Sequence, residues 1–378
     1  MSHRVLYVTN QDPNGVGGGC YASHAYLKAF SRIFHGKIDL CIAEECNEQD
    51  KDIKLAHTFR IKPRNKTQKV LSIFNGRMHR FTKPVKRLIC ENNYDYCVLD
   101  HNKLAGSLIR KLKQRKIKVI TIHHNYEPEF FKDNCTNLWY RIFYMRHVVR
   151  SERLAYLMSD INLFLTKDDL EKFIKVYGNC NGKCSVIGTF EYSEIQFPVI
   201  NSNNSETITI AITGSLNNEQ GIDGVKFFIK DLYPNIDKSN RIIIAGKQPT
   251  QEIVSLCDCK SNIQLVPNPK SMNDILCQAQ IYICPTRLGG GLKLRIMDGL
   301  RLGLPVLTHK CSARGYDLFF DKPYFRVFSD SASFQVELDN LIRFIKGVNN
   351  YKEDCRNHYQ SVFSFISGLD RIKKAIEF

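Results

Sequence analysis

YICPTRLGGGLKLRIMDGLRLGLPVLT, residues 282–308, reads as strand, glycine loop, helix, turn and strand. Tyr282, Ile283 and Cys284 end an apolar run, and Pro285 closes it because proline donates nothing to a ladder. Gly289, Gly290 and Gly291 let the backbone approach a partner with no Cβ in the way. From Leu292 to Arg301 the spacing predicts a helix, with Leu292, Ile296, Met297 and Leu300 near one face. Lys293 and Arg295 fall in its first turn, where the helix dipole disfavours cations, so they are better aimed at an anion. Asp298 lies about one turn on, Gly303 and Pro305 stop the helix, and Pro305 to Leu307 opens the next strand. A glycine loop entering a helix N-terminus is an anion site by geometry. Two cations and a carboxylate beside it suit a sugar nucleotide, the cations meeting the diphosphate and the carboxylate the ribose hydroxyls. The plain alternative is an ordinary βα turn with solvated surface charge.

Residues 289–308 resemble the donor-site signature of glycosyltransferase family 4, the "glycosyl transferases group 1" type with a GT-B fold. Lys293, Arg295 and Asp298 fall on that pattern's two basic positions and its acidic one, and Gly303, Pro305 and Val306 on its turn. A second segment, AITGSLNNEQGIDGVKFFIKDLYPNI (211–236), is similar to the opening strand, loop and helix of the same donor domain. The resemblance covers most of residues 206–320. It implies an α/β chain of two Rossmann-like, doubly wound parallel-sheet domains facing across a cleft.

The rest of the chain is compatible with this. Its 378 residues suit two domains. A hydrophobic share of 43% and a charged share of 24% are those of a soluble globular protein. No apolar run reaches the roughly 18 residues of a membrane-spanning helix. MSHRVLYVTN enters a strand at once with no signal-peptide layout, so a cytoplasmic location is expected. The 14 cysteines are scattered, and we read them as reduced thiols. Cys180 with Cys184 and Cys257 with Cys259 have no second pair at zinc-ribbon spacing, so no metal site is expected. The net charge of +16 is uneven: residues 1–190 hold 32 Lys and Arg against 18 Asp and Glu. That half is expected to face an anionic partner.

Arg4 to Asn10 is a short strand, followed by a loop with Gly15, Gly17, Gly18 and Gly19 and a helix from Tyr21 to Ile33. The glycines are not at dinucleotide spacing. In enzymes of the resembling fold the matching loop faces the donor phosphates, which implies that role for Gly17 and Gly18. Ile38 to Ala43 is a strand and 44–58 a loop. Residues 60–87 are dense in cations, with Val70, Leu71, Ile73, Phe74, Met78 and Phe81 interleaved. Their charge argues against a core helix and for an amphipathic surface helix, either solvated or touching anionic headgroups.

Tyr94 to Asp100 is a strand ending in Asp100, His101 and Asn102, and Leu104 to Arg115 a helix. Lys118 to His123 is another strand, ending in His123, His124, Asn125, Tyr126 and Glu127. Open α/β sheets place ligands at such strand ends. Many members of the resembling family carry a His-Asn-x-Glu stretch here, matched by His124, Asn125 and Glu127. The resemblance puts His124 near the sugar and the acceptor, with His123 second because the loop could begin one residue earlier. Asn125 and Glu127 then lie on the acceptor side. A long aromatic, basic helix is expected over 130–158, with Glu152 in its later part. Residues 191–206 are a polar linker between a first domain, 1–190, and a donor domain, 207–354. Residues 355–378 form a last helix crossing back to the first domain.

Two departures from the family pattern stand out. Many members have Arg after the Gly matched by Gly214, and Lys before the next Gly; here the places hold Ser215 and Gln220. A Glu common eight residues before the position of Asp298 is here Gly290. The cationic work then falls on Lys247, Lys293 and Arg295, with Gly214, Ser215, Asn217, Gly290, Gly291, Leu292 and Asp298 completing the donor site. The expected activity is transfer of a hexose from a nucleotide-diphosphate sugar to a glycan or lipid-linked acceptor in cell-surface polysaccharide assembly. It would be retaining and metal-independent, with no cofactor beyond the donor. Other readings are a sugar-nucleotide epimerase, a non-catalytic GT-B partner protein, and a basic nucleic-acid-binding protein, the last lacking any motif.

Overall fold

The computed structural model describes residues 3–15, 17–47, 50–75, 79–106, 108–134, 138–194 and 207–377. The chain divides into two compact units, Met1–Glu194 with Phe363–Phe378, and Ile195–Val362. Most of the expected linker, residues 195–206, lies outside the described residues.

The first unit opens with β1 (Val5–Thr9), α1 (Gly18–Ile33), β2 (Ile38–Ala43), β3 (His57–Ile61), α2 (Lys66–Asn75) and α3 (Thr82–Glu91). It continues with β4 (Tyr96–Asp100), α4 (Leu108–Gln114), β5 (Lys118–His123), α5 (Glu127–Asn134), α6 (Leu138–Met158), β6 (Ile161–Phe164), α7 (Lys167–Tyr177) and β7 (Lys183–Val186). Its sheet is parallel in the order β3-β2-β1-β4-β5-β6-β7. The strands β1, β2 and β4 are buried along their whole length, which is why VLYVT and YCVLD read as unbroken apolar runs rather than alternating ones.

The second unit holds β8 (Thr209–Ser215), α8 (Glu219–Phe227), β9 (Arg241–Lys247), α9 (Gln251–Asp258), β10 (Ile263–Pro267), α10 (Met272–Leu276) and β11 (Ile281–Cys284). Then come α11 (Leu294–Arg301), β12 (Val306–His309), β13 (Phe325–Phe328), α12 (Ser331–Gly347) and α13 (Tyr351–Phe363). The order β10-β9-β8-β11-β12-β13 is again parallel. In both sheets the order reverses between the first strand and the fourth, β1 beside β4 and β8 beside β11. The crevice outside the strand ends at such a switch point is where open α/β sheets bind ligands.

Side chains set the helix starts. Thr166 accepts from the Asp169 amide at the head of α7, Asn218 from Gly221 at α8, and Ser271 from Asp274 at α10. The last helix, α14 (Phe365–Ile376), begins after Ser364, which accepts from the Ser367 amide. It belongs to the first unit: Ile372 and Ala375 enter that unit's core, and Arg371 donates to the Ile187 and Thr189 carbonyls.

Several elements differ from the sequence reading. The basic stretch 60–87 is not one surface helix. It holds the end of β3, then α2, then the start of α3, and α3 buries Val85, Leu88 and Ile89 in the core. Its cations Lys83 and Arg87 are exposed, so charge counted along the stretch hid an apolar inner face. The expected 44–58 loop loses its last two residues to β3, whose exposed edge position leaves little apolar pattern. The 104–115 helix starts later, after a 3-10 turn at Asn102–Leu104. The region 130–158 contains two helices, α5 and α6, with 135–137 outside the described residues. The helix expected from Leu292 starts at Leu294, with Lys293 at its N-cap.

Candidate functional site

In the first unit the switch point gathers a buried polar cluster at the ends of β1, β4 and β5. Gln11, just past β1, has its amide nitrogen 3.1 Å from the His101 Nε2 just past β4. His101 sits at φ 120°, a left-handed backbone that a bulky residue adopts only when held there. Its Nδ1 lies 3.4 Å from the Glu127 Oε1, and Lys103 Nζ is 3.8 Å from the other Glu127 oxygen. If the Gln11 amide donates to Nε2, the His101 proton sits on Nδ1, facing Glu127. Burial drives the His101 pKa down to about 4, so this imidazole is neutral at pH 7.

His124 stacks on His101 with ring centroids 4.0 Å apart and planes 10° off parallel. Its Nε2 is 2.6 Å from the Asp100 carboxylate, which is fully buried. Burial pushes the Asp100 pKa up, but His124, His101 and Ser23 together outweigh it and the net shift is downward. Two carboxylate–imidazole pairs therefore lie face to face. His123 points elsewhere: its Nε2 is 2.9 Å from the Asn162 Oδ1, its ring stacks on Phe164, and burial lowers its pKa to about 3. Of the two candidate histidines, His124 joins the cluster and His123 is packed into an aromatic core.

Behind them stand two buried glutamates. Glu127, first residue of α5, is 2% exposed; burial would raise its pKa, but His101 and Lys103 hold it down to about 2. Glu152 on α6 accepts from the Glu127 amide at 2.7 Å, Asn102 Nδ2 at 3.0 Å and Tyr177 OH at 2.8 Å. Burial still wins and pushes its pKa up to about 8. Asn125 contributes its carbonyl, 3.5 Å from Asn102 Nδ2. Neighbouring carboxylates with pKa values driven apart are the pattern of sites that handle protons. Gly17, at φ 136°, is the N-cap of α1, and Gly18 is its first residue; both are exposed.

In the second unit Arg295 bridges the switch point. Its Nη1 lies 3.4 Å from the Thr213 carbonyl of β8 and 3.3 Å from Thr286 Oγ1, two residues past β11. The guanidinium covers Gly214, where a Cβ would come within 2.5 Å of Nη1. Lys293 Nζ donates to Gln220 Oε1 at 3.1 Å and to the Gly290 carbonyl at 3.3 Å, and its own carbonyl accepts from Tyr316 OH. It is 7% exposed, and burial followed by the Arg295 charge lowers its pKa to about 8. Gln220, the residue standing where many relatives have Lys, thus receives the Lys293 ammonium.

The glycine loop has a closed and an open side. A Cβ on Gly289 would strike the Gln220 amide at 2.3 Å, whereas one on Gly290 would meet nothing within 4 Å. Gly289 and Gly291 have positive φ, 82° and 70°. Leu292 is half-buried between the loop and Lys293. Ser215 pairs in register with Lys247 at the ends of β8 and β9, and Asn217 Nδ2 donates to Gln248 beside them. Lys247 is exposed. Asp298 is one turn along α11 from Arg295 and ion-pairs with Arg301 at 3.1 Å.

The expected residues therefore fall into two groups, each at a switch point of its own sheet. Reading the sequence left out Gln11, Thr286 and Tyr316, and gave Asp100, His101 and Glu152 no contact role. Asp100-His101 at a strand end was a visible signal. Glu152 lies 25 residues from Glu127, and nothing local marks their contact. Among the described residues no group of three or more His, Cys, Asp or Glu is placed to hold a metal ion. Cys180 and Cys184 have their sulfurs 3.3 Å apart.

Residues 207–320 match the family model described as Glycosyl transferases group 1. No curated protein sequence matches the chain. Among solved structures, a sucrose-phosphate synthase from Thermosynechococcus elongatus superposes with a TM-score of 0.72 at 11% identity, over 98% of each chain. Anabaena HepE in complex with UDP gives 0.69 at 10% identity over 99% of each. The lipopolysaccharide outer core galactosyltransferase WaaB, in its apo form, gives 0.69 at 8% identity over 99% of each. At such identities these likenesses establish the fold. Residues 207–320 carry the match to the glycosyl transferases group 1, and the chain is built on the GT-B fold.

Proposed function

We propose that the second unit binds a nucleotide-diphosphate sugar and that the enzyme passes its hexose to a glycan or lipid-linked glycan acceptor, in cell-surface polysaccharide assembly. The observation carrying this is the convergence of Lys293 and Arg295 on the β8–β11 switch point beside the open face of Gly290. In the reaction the bond from the sugar C1 to the diphosphate oxygen breaks, and the diphosphate leaves with the electron pair. An acceptor hydroxyl oxygen bonds to C1 and gives up its proton. Charge develops on the leaving diphosphate, so fixed cations and amide groups aimed there stabilise the transition state. Lys293 and Arg295 do this work, with backbone amides of the glycine loop, without a metal or further cofactor. Asp298 takes the ribose hydroxyls, while Ser215, Asn217 and Lys247 line the far side.

The acceptor belongs to the first unit, where His124, oriented by Asp100, serves it, and Asn125 and Glu127 complete that side. Retention of configuration is the outcome the family resemblance favours. The UDP complex of HepE and the galactosyltransferase WaaB support a nucleotide-sugar donor and make UDP the first probe. Among the described residues no helix is long and apolar enough to cross a membrane. We place the enzyme on the inner membrane face, held peripherally by its basic first unit.

Calorimetric titration with a panel of nucleoside diphosphates and nucleotide sugars tests the reading. Micromolar binding of one nucleotide, weakened in Lys293→Ala, is expected, followed by transfer or hydrolysis of the corresponding sugar. No binding by any member of the panel would overturn the enzyme assignment in favour of a non-catalytic GT-B partner.

A further inference from the structure

Residues of the β3 end, α2 and the start of α3, from Arg60 to Arg64 and from Thr82 to Pro84 with Gln68, Leu71, His79 and Arg80, line a cavity of about 450 Å³ that the reaction above does not use. Its size is within the range of small-molecule sites, roughly 300–1,000 Å³. Five cations line it: Arg60, Lys62, Arg64, Arg80 and Lys83. Among the described residues none of the lining is acidic. Arg80 is neutralised by Glu45, with Nη1 2.6 Å from Oε2. Arg60 spends its guanidinium on the carbonyls of Glu44, Cys46 and Asn47, which carry no charge. Lys62 and Lys83, both exposed, add positive charge to this lining. Burial lowers the Arg64 pKa, with Tyr144 opposing and Arg80 adding to the shift.

The same cavity has an apolar wall made by Ile61, Leu71 and Pro84. Leu71 is 55% exposed, a large apolar side chain held at the rim beside cations. A simple inorganic anion has no use for that wall. The cavity also abuts the acceptor-side cluster. His79, which lines it, has its ring beside the Leu104 backbone. Leu104 ends the turn from which Asn102 reaches Glu152 and Lys103 reaches Glu127.

We propose that this cavity binds a phosphate ester of an apolar alcohol, its phosphate among Lys62, Arg64 and Lys83 and its chain along Ile61, Leu71 and Pro84. A membrane phospholipid and the prenyl-phosphate end of a lipid-linked glycan acceptor share that chemistry. The inference deepens the acceptor half of the proposed function and rests on it.

The test measures binding of farnesyl phosphate, of inorganic phosphate, and of phosphatidylglycerol against phosphatidylcholine vesicles, to the full chain. Variants are Lys62→Gln with Lys83→Gln, Leu71→Asp, and a charge-matched control, Lys238→Gln with Lys260→Gln, in the second unit. UDP binding is read on the same samples. Expected are farnesyl phosphate binding tighter than inorganic phosphate, a loss of about tenfold or more in the cavity variants, and no change in the control. Vesicle binding that follows the same variants without farnesyl phosphate binding makes the phospholipid the occupant; the reverse makes it the prenyl phosphate. Equal losses in the control, equal affinity for inorganic phosphate, or displacement by a single-stranded oligonucleotide at lower concentration would overturn the proposal. Binding of UDP with no binding of either lipid probe sinks the cavity alone. Loss of both sinks the donor reading as well.

Discussion

Lys293 shows how one side chain is tuned by its surroundings. Its ammonium is buried beside Arg295, with a glutamine oxygen and a carbonyl as partners and a pKa near 8. An arriving diphosphate supplies the missing negative charge, so binding favours the protonated amine. Nucleoside diphosphate affinity is expected to fall as pH rises above about 8, and calorimetry at pH 7 and pH 9 reads the slope. In Lys293→Ala the affinity drops about 10- to 100-fold at pH 7, the worth of one charge-assisted hydrogen bond, and the slope flattens. Glu152 carries the opposite sign. Its folded pKa of about 8 lies above the usual 4.5, so the native state holds the extra proton between those values. Stability is then expected to fall as pH rises from about 4.5 to 8, and Glu152→Gln is expected to remove that part of the slope. Urea midpoints at pH 5 and pH 8 for both proteins check this; parallel slopes would refute it. These two residues were not equally legible. Lys293 was readable because its glycine loop and helix adjoin it in sequence, whereas the burial that sets Glu152 comes from α5 and α7 packing around α6.

At the scale of elements, two glycines of the β8–α8 segment meet different obstacles. In Gly214→Ala the new Cβ would stand 2.5 Å from the tip of a flexible side chain, Arg295 Nη1. The arginine can move, so the fold is expected to persist while nucleotide affinity drops about tenfold through loss of one charged contact. In Gly221→Ala the Cβ would fall 1.7 Å from the Ser215 carbonyl oxygen, which is backbone and cannot yield. That substitution is expected to cost about 1–3 kcal/mol or more of stability, read as a lowered thermal midpoint. A pair of variants with the opposite ranking would show that the β8–α8 turn is not packed as described. The strand–loop–helix order of this segment was legible because glycine, proline and apolar period all change within a few residues. By contrast, α3 was misread because Lys83, Lys86 and Arg87 are interleaved with Val85, Leu88 and Ile89, though they occupy different faces.

For the molecule as a whole, each unit has its own core. One face of the first sheet packs on α1 and α14, where Tyr26, Phe30, Phe190 and Ile372 are fully buried or nearly so. The other face packs on α3, α4 and α6. The second sheet packs on α8 and α12 through Val225, Phe228, Phe334 and Leu338. Chain order and core membership part company at the C-terminus: α14 follows the second unit in sequence but fills the first unit's core. Gly368 admits it, since a Cβ there would run into the Phe190 ring. Ile372→Ala is expected to cost about 2–5 kcal/mol, lowering the first unit's unfolding transition while UDP still protects the second. A loss of UDP protection in that variant would contradict the division of cores.

Taken by itself, the sequence determined the alternation of strand and helix, the two glycine loops, the donor segment around Lys293 and Arg295, and the strand end that carries His124. All of these are written in neighbours within about twenty residues, because periodicity, glycine and caps act locally. Only the tertiary structure decided which histidine faces Asp100 and which turns into the aromatic core, since that depends on Asn162 and Phe164 of the next strand. Only it joined Glu127 to Glu152, placed Arg295 over Gly214, and set the cations of residues 60–83 around one cavity. The physical reason is common to all three: charge and burial depend on what lies close in space, and a parallel sheet brings together strand ends that the chain keeps far apart.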